Sequence, residues 1–297
     1  MRDLSGRCAV VTGAGSGIGA ALVRRLAREG MNVVLADVAI DEAQAVADEI
    51  GADRTLVVRC DVSDAEAVEA LAIAAEARFG PVALLCNNAG IVPGGRHRKV
   101  WEYSVNDWQW SMGVNLYGVI HGIRSFVPRM IDRGLPAHVL NTASVAGFVS
   151  GSGSACYGAS KHAVVRVTEA LLAGLQEVGA PVGVTLLAPG LVRTRIYEAE
   201  RLRPDHLADA GGRPRESAEL DAMRDDLYRG AMSAEDTADL AIDAVIEGRF
   251  YAFTTQAFDG AIRQRCADII DRAEPHFESI VAMSRKDSGL DAAATAP

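Results

Sequence analysis

Residues 8–12, Cys-Ala-Val-Val-Thr, are an unbroken apolar run that leads straight into Gly13-Ala14-Gly15-Ser16-Gly17-Ile18-Gly19 and then an amphipathic segment over 18–29. A short run that is apolar at every position suits a strand covered on both faces, and the glycines allow a tight turn from that strand into a helix. The same alternation recurs along the chain. Apolar runs at 32–36, 55–59, 82–86, 137–141, 182–187 and 249–254 read as strands. Longer segments at 40–50, 65–79, 105–133, 156–178 and 234–247 read as helices. Strands joined by helical crossovers predict a parallel α/β sheet with helices on both faces.

The stretch 191–230 breaks this rhythm with Pro, Gly and charged residues, eight of them arginines, and is expected to be a lid over a functional site. The tail 284–297, ending Ala-Ala-Ala-Thr-Ala-Pro, is expected to be disordered. No repeat or interdomain linker divides residues 1–283, which predicts a single domain.

A formal net charge of -9 argues against a nucleic-acid partner, which calls for a basic face. The apolar runs fall far short of a bilayer span, and residues 1–8 lack the apolar core of a secretion signal, so a cytoplasmic chain without a membrane partner is expected. Five scattered cysteines form no Cys-x-x-Cys pair and six histidines show no ligand spacing, so neither a disulfide framework nor a metal site is expected. Cys156, next to Tyr157, is read as a small packed residue rather than a reactive thiol.

The glycine loop opens a helix whose first N–H groups lack intrahelical partners, a ready site for a pyrophosphate. Gly13, Ser16, Gly17, Ile18 and Gly19 are therefore candidate cofactor contacts. Asp37 ends the second strand at the position where a carboxylate accepts hydrogen bonds from both ribose hydroxyls of an adenosine. The same carboxylate repels a 2′-phosphate, and no cation follows at Val38, so NAD is expected over NADP. Asp61, Val62, Asn88, Ala89 and Gly90 follow the third and fourth strands, where open α/β sheets bind ligands.

Tyr157-Gly-Ala-Ser-Lys161 places a phenol and an ammonium four residues apart, on one helix face. A nearby cation favours phenolate, and bringing a phenol from a pKa near ~10 to neutrality requires roughly 4 kcal/mol. The pair therefore suggests proton exchange with an alcohol oxygen.

Together with Asn87-Asn88-Ala89-Gly90, Asn115, Ser144 and Pro189-Gly190-x-x-x-Thr194, these motifs resemble the short-chain dehydrogenase/reductase family over residues 4–255. The resemblance implies a Rossmann-like, doubly wound parallel sheet in a three-layer α/β/α sandwich. It implies that Tyr157 is the acid/base and that Lys161 lowers its pKa and holds the nicotinamide ribose. Ser144 would orient the substrate oxygen, and Asn115 would hold a water linking Lys161 to solvent. Pro189, Gly190, Val192 and Thr194 would lie near the nicotinamide. It further implies an oxidoreductase interconverting a secondary alcohol and a ketone, and a homodimer or homotetramer. A 3-oxoacyl-thioester reductase, or a dinucleotide-binding sensor without turnover, remains an alternative.

The substrate is not specified by these motifs. Trp101, Tyr103, Trp108 and Trp110 either wall an apolar pocket or anchor the start of the long helix. A basic run, 96–99, accompanies these aromatics; the lid arginines either attract a carboxylate or phosphate or form a solvated, charge-mixed surface, and Tyr197 is a candidate substrate contact. Small residues at 147, 150–154 and 156 leave room for a bulky ring system.

Overall fold

The computed structural model describes residues 3–94, 98–151, 154–209, 222, 228–277, 283, 285 and 287. Seven strands, β1 (Cys8–Thr12), β2 (Asn32–Asp37), β3 (Thr55–Arg59), β4 (Val82–Asn87), β5 (Ala137–Thr142), β6 (Val182–Ala188) and β7 (Tyr251–Phe253), make one sheet. Its order is β3-β2-β1-β4-β5-β6-β7, with every pairing parallel. β1, β4 and β5 are buried at every position, as continuous apolar runs between two helical layers require.

Helices α1 (Gly17–Arg28), α2 (Ile40–Asp48), α3 (Ala65–Phe79), α4 (Val105–Met112), α5 (Gly118–Arg133), α6 (Ala155–Glu177), α7 (Ala234–Glu247) and α8 (Asp259–Asp271) complete the described architecture. Leu22 and Leu26 of α1, Val46 of α2 and Ile242 and Val245 of α7 pack on one side of the sheet, against Val11, Leu35 and Leu84. Leu71 of α3, Phe126 and Met130 of α5 and Leu175 of α6 pack on the other, against Val10, Val34 and Val139. The result is a three-layer, Rossmann-like arrangement. The order reverses between β1 and β4, which opens a crevice at their carboxyl ends.

Local chemistry sets the helix starts. Asp64 caps α3 by accepting from Glu66 N at 2.9 Å, and Ser233 caps α7 by accepting from Asp236 N at 2.9 Å. Among the described residues no helix is long and apolar enough to cross a membrane.

Several elements differ from the sequence expectation. The long helix over 105–133 is interrupted by a π turn at Gly113–Tyr117. The last strand is shorter than 249–254, and α8 was not foreseen, because Asp268 is its one buried residue and it presents no apolar stripe. The lid contains two 3-10 segments, Ile196–Leu202 and Asp205–Leu207, and most of 210–227 lies outside the described residues. So does the expected disordered tail, apart from Arg285 and Asp287. At these two positions the backbone is helical, Asp287 accepts a 2.8 Å hydrogen bond from Leu191 N, and Met283 just before them is buried against Val145, Val149 and Phe258.

Candidate active site

One cleft of about 1340 Å³ runs along the carboxyl ends of the strands. It is lined by Gly13, Ser16, Gly17, Ile18, Asp37, Asp61, Val62, Asn88, Ala89 and Gly90, and continues past Ser144, Tyr157 and Lys161 to Pro189, Gly190, Val192 and Thr194. Of the candidate catalytic and cofactor-binding residues, Gly19 and Asn115 do not line it.

The glycine loop is shaped for close approach. Gly13 has φ +65°, and a β-carbon there would lie 2.8 Å from Ala89 Cα. At Gly19 it would lie 1.9 Å from the Gly13 carbonyl oxygen. Thr12 Oγ accepts from Asn88 N at 3.0 Å and Ala89 N at 3.1 Å, so one hydroxyl ties the ends of β1 and β4 together. Ser16 precedes α1 in extended conformation and makes no side-chain cap, which leaves the helix N-terminus open to an anion. This uncapped terminus, beside glycines whose β-carbons would collide with backbone, fits a dinucleotide pyrophosphate.

The Asp37 carboxylate accepts from Gly15 N at 2.8 Å on one oxygen and from Ala39 N at 2.9 Å on the other. Each carboxylate oxygen has two lone pairs, so each retains one for a ribose hydroxyl. Arg59 is its register partner on β3 and also lines the cleft. Asp61 accepts from Ser63 N at 2.9 Å and Ser63 Oγ at 2.7 Å, and the Val62 carbonyl accepts from His121 Nδ1 at 2.9 Å.

Tyr157 and Lys161 share one face of α6, with the Lys161 ammonium 5.6 Å from the Tyr157 ring centroid. Lys161 Nζ donates to the Thr142 carbonyl at 2.9 Å, and burial lowers its pKa to about 8. Burial raises the Tyr157 phenol to about 12, Ser144 draws it back down and Tyr197 pushes it further up. The net direction is upward, because burial outweighs the lowering. At neutral pH both groups hold their protons.

Ser144 Oγ accepts from Ala146 N at 3.1 Å and donates to the Pro189 carbonyl at 3.4 Å, which joins the ends of β5 and β6. Asn115 sits in the π turn, fully buried. Its Oδ1 accepts from Ile91 N at 2.8 Å, and its Nδ2 donates to Ile91 O at 2.9 Å and Ser160 Oγ at 3.0 Å. In this structure the side chain fixes the turn after β4, and Ser160 ties it to α6.

Gly190 N donates to Thr254 Oγ at 2.9 Å, and Arg193 N donates to Met232 O at 2.9 Å, so the segment after β6 is held from two sides. A β-carbon on Gly17 would meet Thr194 Cγ2 at 3.0 Å, which brings this segment against the glycine loop. Cys156 is buried, and burial raises its thiol pKa, so it is packing rather than a nucleophile.

Both expectations for the aromatic segment hold in part. Trp101, Trp108 and Trp110 line the cleft, while buried Trp110 also packs with Ile91 and Ala199 at the start of the long helix. Tyr103 lies under the Arg98 guanidinium, 4.2 Å from its ring centroid. Arg195 and Arg201 share Glu42 at a solvent-accessible, charge-mixed surface, whereas Arg203 is buried and pairs with Asp107 and Glu200. Arg96, His97, Arg213, Arg215 and Arg224 lie outside the described residues, as do Ser152 and Gly153. Tyr197 lines the cleft. Sequence reasoning missed His206, Tyr228, Phe258, Arg265 and Phe277, which also line it. They come from the lid and from the region around α8, where no local pattern announces a wall.

A family model described as short chain dehydrogenase matches residues 7–205. The 1-deoxy-11-beta-hydroxypentalenate dehydrogenase of Streptomyces avermitilis is 39% identical over 249 residues, covering 83% of both chains. The CLA biosynthesis dehydrogenase/reductase of Lactiplantibacillus plantarum is 32% identical over 284 residues, covering 93% of this chain and 97% of that one. A crystal structure of a short chain dehydrogenase/reductase from Burkholderia phymatum in complex with NAD is 42% identical and superposes with a TM-score of 0.88, covering 94% of this chain and 99% of that one. An α/β sheet with an open glycine cradle, a Tyr-Lys helix face on the same cleft and this match over most of its length make the chain a member of the short-chain dehydrogenase family, an oxidoreductase.

Proposed function

We propose that the protein is an NAD-preferring dehydrogenase/reductase acting on a secondary alcohol or the matching ketone, with Tyr157 as acid/base. The observation that carries this reading is that Tyr157 and Lys161 open onto the same cleft as the glycine cradle and Asp37. The resemblance to a solved relative in complex with NAD and to relatives named as dehydrogenases supports it.

When bound, the nicotinamide dinucleotide supplies the site that takes or gives hydride. Gly13, Ser16, Gly17 and Ile18 would hold its pyrophosphate at the α1 N-terminus, Asp37 its adenosine ribose, and Asp61, Val62, Asn88, Ala89 and Gly90 the adjoining crevice. Gly19 supports this cradle from behind. Pro189, Gly190, Val192 and Thr194 would flank the nicotinamide. Tyr157 and Ser144 hydrogen-bond the substrate oxygen. In the reducing direction the protonated phenol, held up near 12 by burial, gives its proton to the carbonyl oxygen. In the oxidising direction the phenolate must accept one, and the Lys161 ammonium is the nearby cation that favours it. Asn115 positions α6 against the β4 turn and holds the water through which Lys161 exchanges protons with solvent.

We propose residues 1–283 as one catalytic domain that works as a homo-oligomer. Val164, Val165, Thr168 and Leu175 of α6 are buried in the protomer itself, so an interface would use other residues.

Fluorescence titration with NADH and NADPH, followed by NAD reduction with cyclic, aliphatic and polycyclic secondary alcohols, tests the reading. Tighter NADH binding together with alcohol-dependent NAD reduction supports it. NADH binding without reduction across the panel favours a sensor.

A further inference from the structure

Three segments far apart in sequence meet at one buried carboxylate. Asp107, in the first turn of α4, accepts from Arg98 at 2.6 Å on one oxygen and from Arg203 at 2.5 Å on the other. Arg98 belongs to the loop after β4 and Arg203 to the lid after β6. Glu200 completes the cluster by accepting from Arg203 at 2.7 and 2.8 Å and from Gly94 N at 2.8 Å. Arg98 closes it by donating to Gly94 O at 3.0 Å. The Asp107 and Arg203 side chains are 1% and 5% exposed. Two guanidiniums and two carboxylates cancel, so the cluster carries no net charge. Arg203 also lies 4.4 Å from the Trp110 ring centroid, and Trp110 packs with Ile91 and Ala199 on the cleft wall.

A buried carboxylate that holds one guanidinium on each oxygen, one of them also forked onto Glu200, has few low-energy arrangements, and losing either partner strands a charge. We propose that Asp107 is a positioning residue for the substrate: through Arg98 and Arg203 it fixes loop and lid as a single apolar, charge-neutral wall that receives the non-reacting apolar part of the alcohol or ketone. This rests on the dehydrogenase reading for what enters the cleft, but the latch itself does not.

The test uses the full chain as wild type, Asp107→Asn and the milder Arg203→Lys, which keeps the charge and loses the fork. Hydrogen exchange needs no turnover. The amides of 196–207 are expected to exchange at least about tenfold faster in either variant, with α1 amides unchanged. Unchanged exchange over 196–207, or equal acceleration throughout the chain, overturns the latch. In turnover with NAD, KM for cyclohexanol is expected to rise about tenfold or more with kcat within about threefold, while KM for 2-propanol and the NADH dissociation constant stay put. A loss confined to kcat, or an equal rise in KM for both alcohols, overturns the wall. If wild type oxidises neither alcohol, the dehydrogenase reading is what fails, and hydrogen exchange still decides the latch.

Discussion

The Asp37 carboxylate accepts a 2.8 Å hydrogen bond from Gly15 N, so the end of β2 is fastened to the glycine loop after β1 by the residue expected to select the cofactor. Substituting it acts on both. Asp37→Ala is expected to weaken NADH about tenfold or more, the cost of one or two charge-assisted hydrogen bonds, and NADPH by less than about threefold. Fluorescence titration with each cofactor checks this, and an unchanged preference would remove Asp37 from the ribose site.

Gly19 is the least replaceable glycine of the cradle. A methyl group there would overlap the Gly13 carbonyl and approach Asn88 Nδ2 at 2.8 Å, so the Gly13 backbone and the Asn88 side chain must both shift. Gly19→Ala is expected to lose more than about tenfold in NADH affinity and to melt several degrees lower, an overpacking cost of about 1–3 kcal/mol. Wild-type affinity and melting temperature together would contradict the packing described.

His138 couples the sheet to pH. It is buried on β5, its Nε2 lies 2.8 Å from Thr185 Oγ, and burial lowers its pKa to about 4 from 6.5. The folded protein keeps the ring neutral while the unfolded chain takes up a proton first as pH falls. Stability is therefore full above 6.5 and is lost progressively between 6.5 and 4, by roughly 3 kcal/mol at the lower end. Denaturant midpoints at pH 7.5, 5.5 and 4.5, compared between wild type and His138→Gln, isolate this contribution. The same slope in both would sink it.

Asp107 runs in the same direction at lower pH. Burial opposes its charge, but the hydrogen bond from Arg203 and the charge of Arg98 outweigh that and hold it below the ordinary 3.8. Its contribution is present above 3.8 and lost as pH falls through the lower folded value. Protection of the 196–207 amides relative to α1, corrected for the intrinsic pH dependence of exchange, is thus expected to fall as pH drops below 3.8.

What the sequence disclosed depended on how local the signal was. The strand–helix alternation, the glycine loop, Asp37 and the Tyr157–Lys161 pair are all legible over twenty residues or so, because period and spacing encode them. The Asp107–Arg203 contact spans 96 positions and leaves no local trace. The π turn around Asn115 inserts a residue but leaves the chain helical on both sides, so 105–133 read as one helix. Charge pairing is equally non-local: the lid arginines look alike in sequence, yet Arg203 is buried between Asp107 and Glu200 while Arg195 and Arg201 share Glu42 nearer the surface. The spacing of Tyr157 and Lys161 suggested a lowered phenol pKa, but burial, which sequence does not report, outweighs it.

The most direct test follows absorbance during NAD reduction by a secondary alcohol, with wild type and Tyr157→Phe compared at matched NADH saturation. Removing one hydroxyl should leave the fold and the NADH dissociation constant intact and lower kcat by about 10²-fold or more. Turnover retained in Tyr157→Phe at wild-type rate would contradict the assignment of Tyr157 as the acid/base.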